Sequence, residues 1–226
     1  MPQCRYGDRM SDPDDLEDAV DFTPLPNNAG VDAAVKAARR VIAALLHAGN
    51  NSPAEMGGVA DRLNAVAEYV EQHAPPVSER MADMWAGEGF SRHNPVTGPE
   101  NAIAPPLHFK ARPDRSIIGV TTLGLQYQGP PGNVHGGIAA LLLDDALGVS
   151  NFCAGAPGMT AHLSLDYRKP TPLFTPLTVR AEQRSVDGRK IRTVGSITAN
   201  GEVCVEAEGL FIAMREQHNP DWPMTS

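Results

Sequence analysis

A glycine-rich turn and two carboxylates lie close together in residues 129–150, and these groups could carry out chemistry. The turn contains His135, Gly136 and Gly137, and Asp144 and Asp145 follow in an apolar run. An unpaired carboxylate in apolar surroundings costs several kcal/mol, by rough estimate. Because a positioned carboxylate can serve as a base or nucleophile, function is one reason for that cost to be tolerated.

The residues after the turn predict a helix with no polar face apart from the two carboxylates. A helix that is apolar nearly all round is one that other structure encloses. The stretch therefore predicts a buried central helix, and its apolar residues are Ile138, Ala139, Ala140, Leu141, Leu142, Leu143, Ala146, Leu147 and Val149.

Alternating apolar and polar residues on both sides of this helix predict β-strands. Two strands are expected before it, at 107–111 and 117–128, and four after it, at 159–167, 177–185, 190–199 and 202–214. Asp187-Gly188 and Asn200-Gly201 are typical of two-residue hairpin turns. We therefore predict an α+β fold in which a four-strand antiparallel meander wraps around the central helix.

Composition divides the chain into three parts. Residues 1–30 are acidic and proline-containing, which predicts a mobile arm. Residues 31–95 show helical periodicity without a chemical motif, so we predict a helical extension and linker that either covers a ligand entrance or serves only as packing. Residues 96–226 form the predicted sheet-and-helix domain.

Charge and cysteine content narrow the function classes. The net charge of −8 argues against a nucleic-acid partner. An excess of Lys and Arg in residues 160–192 favours an anionic small ligand over a polyanion, and charged residues on solvated strand faces are the alternative interpretation. Three cysteines without a CxxC spacing favour a reducing compartment and no metal site. Neither a leader peptide nor a membrane span is recognisable, so a cytoplasmic location is expected.

An ordered set of four motifs resembles a known family. The turn Val134-His135-Gly136-Gly137 precedes Asp144, and the other three motifs are Tyr127-Gln128-Gly129-Pro130-Pro131-Gly132, Met159-Thr160-Ala161 with Asp166-Tyr167-Arg168-Lys169-Pro170, and Asp187-Gly188-Arg189-Lys190. This set resembles the PaaI-type acyl-CoA thioesterases of fatty acid metabolism, which have the hotdog fold. It is most similar to thioesterase superfamily member four and its bacterial relatives. The resemblance covers residues 107–215.

The resemblance implies roles for four residues of a hydrolytic site. It places the catalytic base or nucleophile at Asp144 rather than at Asp145. The Gly137 N–H would polarise the thioester carbonyl. His135 would orient the turn or the substrate, and Thr160 would hold the attacking water.

Several family members also use an asparagine just before the turn. In this sequence the corresponding spacing falls near Gly129, and the nearest asparagine is Asn133.

Helix geometry constrains how these groups can cooperate. Gly137 and Asp144 are seven residues apart, which is about 10 Å along a helix axis. One thioester cannot easily contact both, so we expect a site shared between Gly137 of one subunit and Asp144 of a partner's antiparallel helix. The family resemblance likewise implies a homodimer or a dimer of dimers.

The resemblance also implies a coenzyme A site. Arginine and lysine suit the phosphates of the coenzyme, which is part of the substrate, so no separate cofactor is expected. The expected substrate-binding residues are Gly136, Asp166, Arg168, Lys169, Arg189 and Lys190. Two other functions stay open from the sequence: a non-catalytic acyl-CoA sensor and an acyl-thioester hydratase or dehydratase.

Overall fold

The computed structural model describes residues 18–27, 29–79 and 92–213. The helices in this part of the chain are α1 (Gly30–Ala48), α2 (Met56–Glu71) and α3 (Gly136–Cys153). The strands are β1 (Val20–Asp21), β2 (Phe109–Ala111), β3 (Ile117–Thr122), β4 (Met159–Tyr167), β5 (Pro176–Asp187), β6 (Lys190–Ala199) and β7 (Glu202–Ile212). The predicted α+β class, with an N-terminal helical extension, is confirmed.

The central helix α3 packs into a curved antiparallel sheet, as the apolar pattern predicts. It contacts five of the seven strands, from β3 to β7. Leu142, Leu143 and Leu147 are fully buried in this contact. Burial of each leucine contributes about 2 kcal/mol, so this helix and the sheet form the main core. The length and composition of α3 would also suit a membrane span, but in this fold α3 is the core helix.

Two glycines allow α3 to approach the sheet closely. A Cβ atom at Gly195 would lie 3.1 Å from Cδ2 of Leu147, and one at Gly209 would lie 2.9 Å from Cδ1 of the same leucine. These distances are shorter than ordinary carbon contacts, so the leucine fits only because both strands lack a side chain there.

The strand order corrects the predicted meander. The order in the sheet is β1-β2-β3-β5-β6-β7-β4. Among the described strands, β4 therefore lies at the edge and pairs with β7 alone, while β5 pairs with β3 and β6. The meander therefore has three strands rather than four. The connection 168–175 crosses to other loops instead of turning back: Leu173 N–H donates to the Gly132 carbonyl and Phe174 N–H to the Leu123 carbonyl.

The two hairpins are confirmed, with a one-residue correction in the first. Asn200 and Gly201 both have positive φ, as a type I′ turn requires. In the other hairpin Asp187 pairs with Lys190, so the turn residues are Gly188 and Arg189, and of these Gly188 has positive φ.

Part of the predicted mobile arm, residues 1–30, is held by the sheet. β1 pairs with β2, and the Thr23 hydroxyl accepts a hydrogen bond from Phe109 N–H at 2.8 Å. Thr23 is itself buried. Residues 20–23 are therefore anchored to the sheet, and residues 1–17 of the predicted arm lie outside the described residues.

Candidate active site

His135 caps the N-terminus of α3 and organises the glycine-rich turn. Its Nδ1 accepts a hydrogen bond from Gly137 N–H at 3.0 Å, so this nitrogen is unprotonated. The His135 N–H donates to the Tyr127 carbonyl at 2.8 Å. Gly129 lies against the same residue, because a Cβ there would be 2.7 Å from the His135 Cα. These contacts fix the turn that presents the first N–H groups of the helix.

The two glycine N–H groups at this helix end differ in their partners. The Gly137 N–H, the predicted oxyanion donor, is occupied by His135 Nδ1. The Gly136 N–H forms no hydrogen bond with the described residues. The Gly136 carbonyl accepts from the Tyr167 hydroxyl at 2.9 Å, which ties the turn to the end of β4. Both N–H groups lie at the positive end of the helix dipole, where developing negative charge is favoured.

Asp144 and Thr160 are brought together by α3 and β4. The Thr160 hydroxyl donates to Asp144 Oδ1 at 2.9 Å. Asp144 is half-buried and Thr160 is exposed, so solvent reaches the pair. The threonine can hold one carboxylate oxygen in place while the second is available to a water or a carbonyl.

The helix-start turn and the Asp144–Thr160 pair lie at different levels along α3. The turn contacts Tyr167 at one end of β4, whereas Asp144 contacts Thr160 near the other end. Together these contacts show that α3 and β4 run antiparallel to each other. Within one chain, the two parts of the predicted site are therefore separated along α3.

The predicted basic residues do not form one cluster in the protomer. Tyr167, just before Arg168 and Lys169, pairs with Val205 of β7, whereas Lys190 pairs with Ile212. Val205 and Ile212 are seven residues apart, which is about 23 Å along β7. Within one chain, Arg168 and Lys169 therefore lie at the opposite end of the sheet from Arg189 and Lys190, because β4 and β6 both run antiparallel to β7 and so run parallel to each other.

Three of the four predicted basic side chains, those of Arg168, Lys169 and Arg189, already have a local partner. Arg168 lies 2.8 Å from Glu206 and 3.2 Å from Asp166. Lys169 lies 2.5 Å from Glu202. These pairs are exposed and therefore weak, so a phosphate could compete for the cations. At the opposite end of the sheet, the Arg189 Nε donates to the Ala213 carbonyl at 3.0 Å.

Sequence reasoning missed Asn94, which contacts the second carboxylate. The Asn94 Nδ2 donates to Asp145 Oδ1 at 2.9 Å, and Asp145 Oδ2 is buried without a partner among the described residues. Burial, together with the nearby charge of Asp144, raises the pKa of Asp145 to about 6, although the hydrogen bond from Asn94 opposes this rise. No local signal marks Asn94, because it lies in a proline-containing loop far along the chain from α3.

The raised pKa of Asp145 predicts a pH dependence of stability. Below about pH 3.8 the carboxyl is protonated in both folded and unfolded chains. Between about pH 3.8 and pH 6 the carboxyl ionises in the unfolded chain but stays largely protonated in the folded chain, so the free energy of unfolding should fall by about 3 kcal/mol in total, and this loss is complete once the pH has passed about 6. Urea unfolding between pH 4 and 7 should show this loss relative to Asp145→Asn at equal protein concentration. A difference between the two proteins that does not change with pH would contradict it.

Asn133, the asparagine nearest the turn, uses its amide locally. Its Nδ2 donates to the Pro131 carbonyl at 3.0 Å, and its own N–H donates to the Pro130 carbonyl. It therefore supports the shape of the loop.

Among the described residues, no group of three or more His, Cys, Asp or Glu side chains is arranged to hold a metal ion.

Two segments of the chain match family models. Residues 131–206 match the model described as the thioesterase superfamily. Residues 22–79 match the model described as the N-terminal helical domain of the hypothetical protein RHA1_ro05818. The first match spans α3 and most of the sheet, and the second spans α1 and α2.

A solved structure and curated proteins are also similar. The crystal structure of protein RHA08564, a thioesterase superfamily protein, is 52% identical, with a TM-score of 0.80 over 86% of this chain and 96% of that one. Acyl-coenzyme A thioesterase THEM4 of Rattus norvegicus is 34% identical over 119 residues, 52% of this chain and 50% of that protein. THEM4 of Mus musculus is 32% identical over the same shares. The chain spans about half the length of these curated relatives.

Proposed function

We propose that this chain, which belongs to the thioesterase superfamily, hydrolyses acyl-CoA to a free carboxylic acid and coenzyme A. The observation that carries the proposal is the Asp144–Thr160 pair on the same helix as the exposed glycine-rich turn. The curated relatives named acyl-coenzyme A thioesterases support the substrate class. We place the activity in fatty acid metabolism in the cytoplasm.

Hydrolysis needs an attacking oxygen and stabilisation of the carbonyl oxygen. Asp144 either takes a proton from a water that attacks the carbonyl carbon, or attacks that carbon itself to form an anhydride that water then hydrolyses. In both routes the carbon–sulfur bond breaks and the coenzyme A sulfur leaves as a thiolate, which takes up a proton. Thr160 orients Asp144 or the water.

The helix-start N–H groups would bind the carbonyl oxygen as it becomes negative. Gly137 is the proposed donor, with the carbonyl oxygen replacing His135 Nδ1 as the acceptor of its N–H. The exposed position of His135 leaves its ring room to turn away from Gly137. Such a donor contributes about 3 kcal/mol to stabilising the transition state.

A homodimer with antiparallel α3 helices would complete the site. Each protomer carries the glycine turn and Asp144 about 10 Å apart. An antiparallel partner would bring its Asp144–Thr160 pair beside Gly137 of the first protomer. The same arrangement would bring Arg168 and Lys169 of one chain toward Arg189 and Lys190 of the other. The two basic groups that lie far apart in one protomer would then bind one coenzyme A together, with Asp166 and Gly136 beside them.

The substrate class can be tested by measuring thiol release from a panel of acyl-CoAs of increasing chain length. We expect release of stoichiometric coenzyme A from at least one of them, without an added cofactor. Tight coenzyme A binding without release from any substrate would overturn the proposal and favour a non-catalytic acyl-CoA sensor.

Replacing Arg189 with alanine should weaken substrate binding without slowing the chemical step. We expect KM for acyl-CoA to rise about tenfold with little change in kcat, because the guanidinium binds ground state and transition state equally. Steady-state kinetics would measure both constants. Arg192→Ala is the matched control, since Arg192 is an exposed arginine on β6, three residues after Arg189 and outside the proposed site. An equal fall in kcat for Arg189→Ala would contradict the assigned role.

A further inference from the structure

The contact between Asn94 and Asp145 joins a distant loop to the helix that carries the proposed base. We infer that Asn94 is a positioning residue for the hydrolytic site: by holding Asp145, it fixes the turn of α3 that presents Asp144 to the substrate. This inference rests on the proposed thioesterase function.

The hydrogen bonds around Asn94 leave its amide one orientation. Asn94 Oδ1 accepts from Val96 N–H at 2.6 Å and from Thr97 N–H at 3.0 Å. Because this oxygen faces two donors, Nδ2 must face Asp145, where it donates at 2.9 Å. The loop also closes tightly on Asn94, since a Cβ at Gly98 would lie 2.5 Å from the Asn94 backbone nitrogen and oxygen.

The N-terminal helical extension holds this loop in place. Arg92 donates to both oxygens of Asp32 in α1, at 2.9 and 2.7 Å, and Asp32 is buried. Arg39 of α1 donates to the carbonyls of Gly98 and Asn101 at 3.3 and 2.7 Å. Although burial alone would raise the pKa of Asp32, hydrogen bonds from Asn27 and Arg92 lower it, so this carboxylate stays charged. The extension therefore acts as a support for the site.

Asp145 needs this donor because Asn94 is its one side-chain hydrogen-bond partner among the described residues. Its Oδ2 is already unpartnered among the described residues, so loss of Asn94 would leave both buried oxygens without a hydrogen bond. A buried carboxylate in that state would move toward solvent. Consecutive helical residues point about 100° apart, so any rotation of α3 that exposes Asp145 also turns Asp144 away from Thr160. A displacement of about 1 Å at a reacting group can cost about 100-fold in rate.

An exchange of the two side chains tests the inference. Asn94→Asp keeps the oxygen that accepts from Val96 and Thr97 but places two carboxylates against each other without a donor. We expect kcat for acyl-CoA to fall about 10-fold to 100-fold with little change in KM. The double variant Asn94→Asp/Asp145→Asn reverses the hydrogen bond at unchanged net charge, and kcat should return to within about threefold of the wild type.

The matched control is Asn101→Asp, which makes the same chemical change in the same loop. Asn101 Nδ2 donates to the His93 carbonyl at 3.1 Å and does not contact Asp145. We expect its kcat to equal that of the wild type even if its melting temperature falls as much as that of Asn94→Asp. Wild-type kcat in Asn94→Asp, failure of the exchange to restore kcat, or an equal loss in Asn101→Asp would each overturn the inference. A wild-type protein that hydrolyses no acyl-CoA would instead overturn the proposed function.

Discussion

Asp144→Asn should lower kcat for acyl-CoA hydrolysis about 1,000-fold while coenzyme A binding is retained. The substitution keeps the shape of the side chain and an oxygen that can accept from Thr160, but removes the base or nucleophile, whose contribution is typically between about 100-fold and 10,000-fold. Thiol-release kinetics would give kcat, and calorimetric titration with coenzyme A would show that the binding site is intact.

Asp145→Asn is the control for this prediction, because it makes the same change one residue further along α3. The new amide keeps an oxygen that can accept from Asn94, so Asp144 stays in position. We expect this variant to keep kcat within about tenfold of the wild type. If Asp145→Asn lost as much activity as Asp144→Asn, or if Asp144→Asn stayed active, the assignment of the chemistry to Asp144 would fail.

Mixing two inactive variants should restore activity if the site is shared between subunits. Asp144→Asn lacks the carboxylate, and Gly137→Pro lacks the N–H that would bind the carbonyl oxygen. A heterodimer of the two would contain one intact site, formed by Gly137 of one chain and Asp144 of the other. With random exchange of subunits at equal amounts, about a quarter of the wild-type activity per subunit should return.

Gly137→Ala separates loss of the N–H from added bulk at this position. Its Cβ would meet only the His135 ring, at 3.2 and 3.3 Å, and an exposed ring can shift. This variant should therefore stay active because it retains the N–H. A mixture of Asp144→Asn and Gly137→Pro that recovers nothing after exchange, confirmed by mass spectrometry of tagged chains, would place both groups of a working site in one protomer.

The parts of the fold that depend on local conformational preferences could be predicted from the sequence. Glycine and asparagine at the turns adopt the positive φ that a hairpin needs, and the apolar run with its glycine start is sufficient for α3. Asp144 and Thr160 were predicted as members of one site, and the structure brings them within hydrogen-bond distance. These features depend on neighbours in the chain or on a resemblance carried by short motifs.

The tertiary structure decided what depends on distant segments. Three features could be found only from the structure: the position of β4 at the sheet edge, the separation of Arg168 from Arg189, and the contact of Asn94 with Asp145. The residues of β4 and its neighbours do not determine which strand β4 pairs with, because that pairing depends on how the whole sheet encloses α3. Periodicity and turn chemistry report only local conformational preference, whereas these contacts arise from burial and hydrogen-bond satisfaction across the folded chain.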